Sequence, residues 1–410
     1  MRRHPLPASP LIVIPLAVAA ALSLSAGAQP PAAPKASAPP PAFQALDAFY
    51  TKGVADNGIV GSRLAVVREG RELFAKSVGT ADIARQHAVE ADTIFHWASI
   101  TKTFTAIAIM QLRDRGLLKL DDPAVNYVPE LRLVHDAFGD ISRITIRHLM
   151  THSAGFRNPT WPWGGDKPWH PFEPTEWSQL VAMFPYTEVE FEPGSRYRYS
   201  NPGIIFLGRI IEKLGGDPYQ SYVDKNILEP LEMRRSYFDT TPAYLLPHRS
   251  ASYYVENGTP RPAPFDVNTG ITVSNGGLNA PIGDMEKYLA FLIGDERRQA
   301  LYDLVLKRAS LEAMFVPQIT AGEEGPDRVS IGLSFFVEDR EGYRLVGHSG
   351  GQNGFISHFY ICPALRAGYI VAFNTETPSA GGEDHDKTRQ FDAALRTFIL
   401  KQVFKTMQGQ

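Results

Sequence analysis

The sequence predicts an α+β fold: one antiparallel sheet whose strands come from both ends of the chain, with a mainly helical subdomain inserted between them. Three observations predict it. A hairpin pattern stands near the start, around Glu69-Gly70-Arg71, and a run of strand-like segments follows Ile331. Between them, roughly residues 121–264 are rich in Pro, Gly and Trp and carry only short helical patterns. Neither end has enough strands to cover a core alone, so the hairpin must join the late strands.

The first residues precede the fold. Arg2 and Arg3, the apolar run Leu11 to Leu24 and the small-residue pattern Ala26-Gly27-Ala28 look like a secretory signal peptide, residues 1–28. An uncleaved anchor is the competing reading, but the run is short for a bilayer and Pro15 interrupts it. Pro30 to Pro41 is almost wholly Pro, Ala and Ser, which makes residues 29–42 an extended tether. The catalytic domain is expected over 43–410, in a protein exported to the periplasm or secreted.

Phe43, Leu46, Phe49, Tyr50 and Val54 fall at helical spacing and open the domain. Strands are expected at Arg63–Arg68 and Glu72–Val78. From Ala98 to Arg115, Ile100, Phe104, Ile107, Ala108 and Leu112 recur every three or four positions, and Gly116 stops that helix. The middle holds a helix at Ile204–Leu214. Strands follow at Gly332–Glu338, Tyr343–Gly347, Ile356–Ile361 and Tyr369–Asn374, and a helix from Lys387 to Phe404 closes the chain with Phe391, Leu395, Phe398, Ile399 and Val403 on one face.

The 410 residues are 44% hydrophobic and 21% charged, which excludes a disordered, collagen-like or multi-span membrane chain. Lys+Arg 41 against Asp+Glu 44 leaves a formal charge of −3, without the basic excess that nucleic-acid binding needs. The single cysteine, Cys362, cannot form an intramolecular disulfide and reads as a buried thiol at a strand end.

Chemistry is concentrated in three places. Ser99-Ile100-Thr101-Lys102 puts a hydroxyl and an amine on one helical face, near enough to share a proton. Serine needs such a base, and lysine can act as one only when its pKa falls from about 10.4. Tyr199-Ser200-Asn201 follows the turn Glu192-Pro193-Gly194-Ser195 and supplies a phenol and an amide just before a helix. Gly347-His348-Ser349-Gly350-Gly351 closes a strand with residues small enough to let backbone N–H groups approach a ligand.

Ser99-x-x-Lys102, Tyr199-x-Asn201 and His348-Ser349-Gly350, in that order, resemble the serine β-lactamase and penicillin-binding-protein superfamily, most of all its class C-like branch of esterases, D-amino-peptidases and low-molecular-weight carboxypeptidases. The segments Leu117–Pro123, His148–Gly155 and Gly276-Gly277-Leu278 before Asp284 are also similar to that family, and the similarity runs from about Phe43 to about Phe404. The resemblance implies helices on both faces of the sheet and an active site between sheet and helical subdomain. It implies Ser99 as acylated nucleophile, Lys102 and Tyr199 as the proton-transfer pair, and Asn201, His348, Ser349 and Gly350 as substrate-binding residues. The backbone N–H groups of Ser99 and Gly351 would form the oxyanion hole. Which of Lys102 and Tyr199 is the base stays open at this level. The substrate would be a small molecule or peptide with an ester, amide or β-lactam bond; no metal, organic cofactor, nucleic acid or membrane span is implied, and the oligomeric state is open.

The pattern departs from the family at His348-Ser349, where many members carry Lys-Thr-Gly to hold a substrate carboxylate. A histidine there is mostly neutral near pH 7, which favours esters or other substrates lacking that carboxylate over β-lactams and D-Ala-D-Ala peptides. A catalytically silent penicillin-binding or sensing protein is the alternative from another class. Gly347–Gly351 also fits the G-x-S-x-G nucleophile elbow, but that motif needs a helix immediately after, and another strand is expected instead. His148 and His152, four apart, are read as a structural pair near a helix end, since no third metal ligand accompanies them. Trp161, Trp163, Trp169 and Trp177 either line a pocket or lid or form a satellite core under a loop.

Overall fold

The runs Phe355–Cys362 and Ala367–Phe373 are buried at every residue, and a strand buried on both sides needs a covering layer on each face. The computed structural model describes residues 40–156, 174–263, 269–324, 327–377 and 386–408 and supplies both layers. The signal-like segment, nearly all of the tether, and Trp161, Trp163 and Trp169 lie outside the described residues.

Nine strands form the sheet: β1 Gly61–Arg68, β2 Arg71–Asp82, β3 His87–Ala88, β4 Ile319–Glu324, β5 Asp327–Ile331, β6 Phe336–Arg340, β7 Tyr343–Gln352, β8 Phe355–Cys362 and β9 Ala367–Phe373. Their spatial order is β4-β5-β6-β7-β8-β9-β1-β2-β3, every neighbouring pair antiparallel. The expected junction of the early hairpin with the late strands is the β1–β9 pairing, with Leu64 opposite Val371.

Side-chain alternation divides the interior in two. Ala65, Val67, Phe359, Ile361 and Ile370 face a large core shared with α2 (Thr101–Asp114), α4 (Asn201–Gly215) and α5 (Ile282–Ile293). Leu64, Val66, Tyr360, Tyr369 and Val371 face a second core closed by α1 (Pro41–Asp56) and α6 (Lys387–Phe398). The short helix α3 (Ile146–Met150) packs against α4. Cys362 lies in the second core, where burial pushes its thiol pKa up, as its strand-end position suggests.

Some boundaries differ from those the sequence suggests. The strand expected at Gly332–Glu338 starts only at Phe336, because the Gly332 N–H folds back on the Phe335 carbonyl (2.8 Å) and Ser334 takes a left-handed φ of 61°. The strands β4 and β5 are additional; their polar sequences at the sheet's edge lack the apolar alternation that marks the others. The closing helix is α-helical only to Phe398 and continues as a π turn, Ile399–Val403, and a 3-10 turn, Phe404–Met407. No described helix is long and apolar enough to cross a membrane.

Candidate active site

The strand Ile94–His96 leads through Trp97 into a 3-10 turn, Ala98–Ile100, that runs straight into α2. The helix expected from Ala98 thus begins with a tighter turn carrying Ser99. The Trp97 N–H donates to the Leu278 carbonyl (2.9 Å) and its indole N–H to the Ala280 carbonyl (2.9 Å). Ala98 then takes a left-handed φ of 46°, a strained conformation for a residue with a Cβ, and this sharp bend leaves Ser99 partly exposed between buried neighbours.

Every residue from Thr101 to Leu112 is buried, so Lys102 is carried inside with its helix. Its Nζ lies 2.9 Å from Ser99 Oγ and 2.8 Å from the Asn275 carbonyl. Among the described residues no carboxylate pairs with it, and burial alone holds the amine well below the ordinary lysine range. An amine in that state has a lone pair for the Ser99 hydroxyl proton.

Tyr199 arrives from the loop before α4, where Ser200 caps the helix by accepting the Gly203 N–H (3.2 Å) and Asn201 opens it. The Tyr199 hydroxyl is hydrogen-bonded to Ser99, and Lys102 Nζ sits 5.0 Å from the ring centroid. Burial raises the phenol's pKa, so it rests protonated. Desolvation therefore drives the two groups in opposite directions, amine towards neutrality and phenol away from ionisation.

On β7, His348 is buried with its ring 5.1 Å from Phe336 and 6.4 Å from Tyr199. Its Nδ1–H donates to the Ser349 carbonyl (2.6 Å). Burial pushes its pKa down to about 3, so this ring is uncharged. Gly350 makes the approach of β7 possible: a Cβ there would stand 2.2 Å from the Trp97 carbonyl oxygen. Ser349 and Gly351 are exposed, and a Cβ on Gly351 would reach within 2.8 Å of the Arg389 guanidinium, itself bonded to Glu376 at 3.1 Å.

Ser99, Lys102 and Tyr199 thus meet around one hydroxyl, with the His348 ring near Tyr199 and Gly350 packed against the turn that carries the serine. Asn201 opens α4, two residues after Tyr199. Because Gly347–Gly351 lies within a strand that turns through Asn353-Gly354 into β8, it is not a nucleophile elbow. His148 and His152 do not act as a pair: His148 Nδ1 accepts the Thr145 N–H in a helix cap, whereas the His152 ring stacks on Tyr199. Among the described residues no cluster of His, Cys, Asp and Glu is arranged to hold a metal ion. Sequence reasoning read His152 only as half of a structural pair and missed its place against Tyr199, and it missed the Asn275 carbonyl, which has no signal of its own, being a backbone atom.

Residues 46–394 match the family described as Beta-lactamase. The chain belongs to the beta-lactamase family. Among its relatives, esterase EstB of Burkholderia gladioli is 30% identical over 238 residues, covering 56% of this chain and 58% of that protein. Protein flp of Staphylococcus aureus strain MW2 is 25% identical over 332 residues, 81% of this chain and 63% of that protein. The chain therefore spans less than two thirds of either relative. Among solved structures, the octameric penicillin-binding protein homologue from Pyrococcus abyssi superimposes with a TM-score of 0.71 at 28% identity, covering 87% of this chain and 77% of that one. A class C beta-lactamase gives 0.69 at 20% identity over 88% and 96%, a likeness of fold alone. This family member's antiparallel sheet with helices on both faces is that of its structural neighbours.

Proposed function

We propose that the protein is an exported serine hydrolase that cleaves ester or amide bonds of small molecules or peptides through an acyl-enzyme on Ser99. The observation that carries this reading is the contact between Ser99 Oγ and an amine buried without a counter-charge. Lys102 takes the hydroxyl proton as Oγ attacks the carbonyl carbon, and the N–H groups of Ser99 and Gly351 receive the oxyanion. The Tyr199 phenol gives its proton to the leaving oxygen or nitrogen and recovers one from Lys102. Water then attacks the acyl carbon by the same path in reverse, freeing Ser99. The opposed shifts of amine and phenol favour Lys102 as the base.

A neutral His348 favours carboxylesterase or peptidase activity, and the similarity to an esterase supports it. The second reading, β-lactamase or D-Ala-D-Ala carboxypeptidase, is favoured by Arg389, a cation beside the exposed end of β7. Its pairing with Glu376 offsets that charge. A fluorophosphonate probe should label the protein on Ser99 and leave Ser99→Ala unlabelled. The labelled-competent enzyme is then assayed side by side on p-nitrophenyl esters, nitrocefin, D-Ala-D-Ala peptides and D-amino-acid amides. Absence of labelling overturns the hydrolase reading in favour of a silent binding protein. Export is tested by mass: the mature chain from a secreting host should begin at Gln29.

A further inference from the structure

His152 holds the segment that carries Tyr199 at three points. Its carbonyl oxygen accepts the Arg198 N–H (2.8 Å), and its Nδ1 accepts the Ser200 N–H (3.1 Å), so the residues on either side of Tyr199 are both tied to it. Its ring stacks on the Tyr199 ring, with centroids 4.5 Å apart and planes inclined by 30°. His152 itself is almost wholly buried and adopts a left-handed φ of 52°, a conformation that histidine tolerates better than most residues. That backbone kink lets carbonyl and imidazole face the same strand of chain. Only a neutral imidazole can accept at Nδ1, and burial keeps it neutral.

We propose that His152 is a positioning residue for Tyr199: by stapling residues 198 and 200 and stacking on the ring between them, it fixes the phenol oxygen against Ser99. This rests on the role assigned to Tyr199 above. The step affected is proton delivery to the leaving group, so loss of His152 lowers kcat rather than raising KM. A phenol displaced by about an ångström costs on the order of 10²-fold.

The test is a double-mutant cycle on an alkyl ester, whose alkoxide leaving group needs that proton, with melting temperatures recorded for every variant. His152→Ala should lower kcat by roughly 10–100-fold with KM within about twofold. In a Tyr199→Phe background the same change should cost less than about twofold, because no phenol remains to be aligned. His152→Asn, which keeps an acceptor at the Nδ1 position and accepts positive φ, should recover much of the activity; His152→Phe, which keeps only the ring, should recover less. A wild-type kcat in His152→Ala, or an equal loss in both backgrounds, overturns the inference alone. A Tyr199→Phe variant with normal kcat overturns the role of Tyr199 and this inference with it.

Discussion

Lys102 and Tyr199 show how burial separates two ionisable groups. Both are desolvated, and desolvation disfavours whichever form is charged: the ammonium of one, the phenolate of the other. The amine therefore waits with a lone pair and the phenol with a proton, without either needing an acid partner. His348 obeys the same rule, so it supplies no permanent cation. The pH dependence follows with its sign. Because the Lys102 pKa is lowered, kcat/KM should fall as acid protonates the amine and should show no rise tied to an ordinary lysine near pH 10.4. A pH–rate profile checks it, and an activity that climbs through pH 10 speaks against Lys102 as a neutral base. Lys102→Ala should lower kcat by roughly 10²–10⁴, read by ester turnover per folded molecule, and near-normal rates would remove Lys102 from the role of base.

Among elements, the approach of β7 to the turn before α2 decides whether the site assembles. Gly350→Ala pushes a methyl group into the Trp97 carbonyl, which backbone cannot easily evade. We expect a loss of about 1–3 kcal/mol in stability together with at least a tenfold loss in kcat, read by denaturant melts and ester turnover. Normal activity would mean that the strand's position is not what places the serine. A second junction lies between β2 and α5, where Glu286 is hydrogen-bonded to Glu72. Burial, then the Glu72 charge, raises the Glu286 pKa to about 8, with Arg63 pulling the other way. The folded chain thus holds a proton that the unfolded chain releases above about pH 4.5, so stability declines as pH rises from there to about 8. Glu286→Gln should flatten that decline and raise the melting temperature at pH 8; an unaltered pH–melting curve would show that the pair does not share a proton.

For the whole molecule, the sheet is a partition between a core that lies under the candidate site and a core on the opposite face. Phe391 of α6 packs against Phe49, Tyr50 and Phe373 and lies over Gly53, all on the side away from Ser99. Phe391→Ala should cost about 3–5 kcal/mol of stability while leaving kcat per folded molecule within about twofold, measured by melts and active-site titration. A matching collapse of kcat would mean that the two cores are coupled through the sheet. Strongly periodic segments such as Phe43–Val54 and the unbroken apolar run Phe355–Cys362 were legible in the chain, because a burial pattern of period 3.6 or a continuous apolar run has few alternative uses. The Ser99-x-x-Lys102 spacing was legible for the same local reason, one turn of helix. Nothing local tells that a helix will be buried on all sides, that Ala98 will bend left-handed, or that His152 will lie on Tyr199. Those depend on segments more than forty residues apart packing together. The sequence by itself determined which side chains are available and which faces are apolar; only the tertiary structure decided which of them lose their water, and loss of water is what sets the protonation of amine, phenol and imidazole.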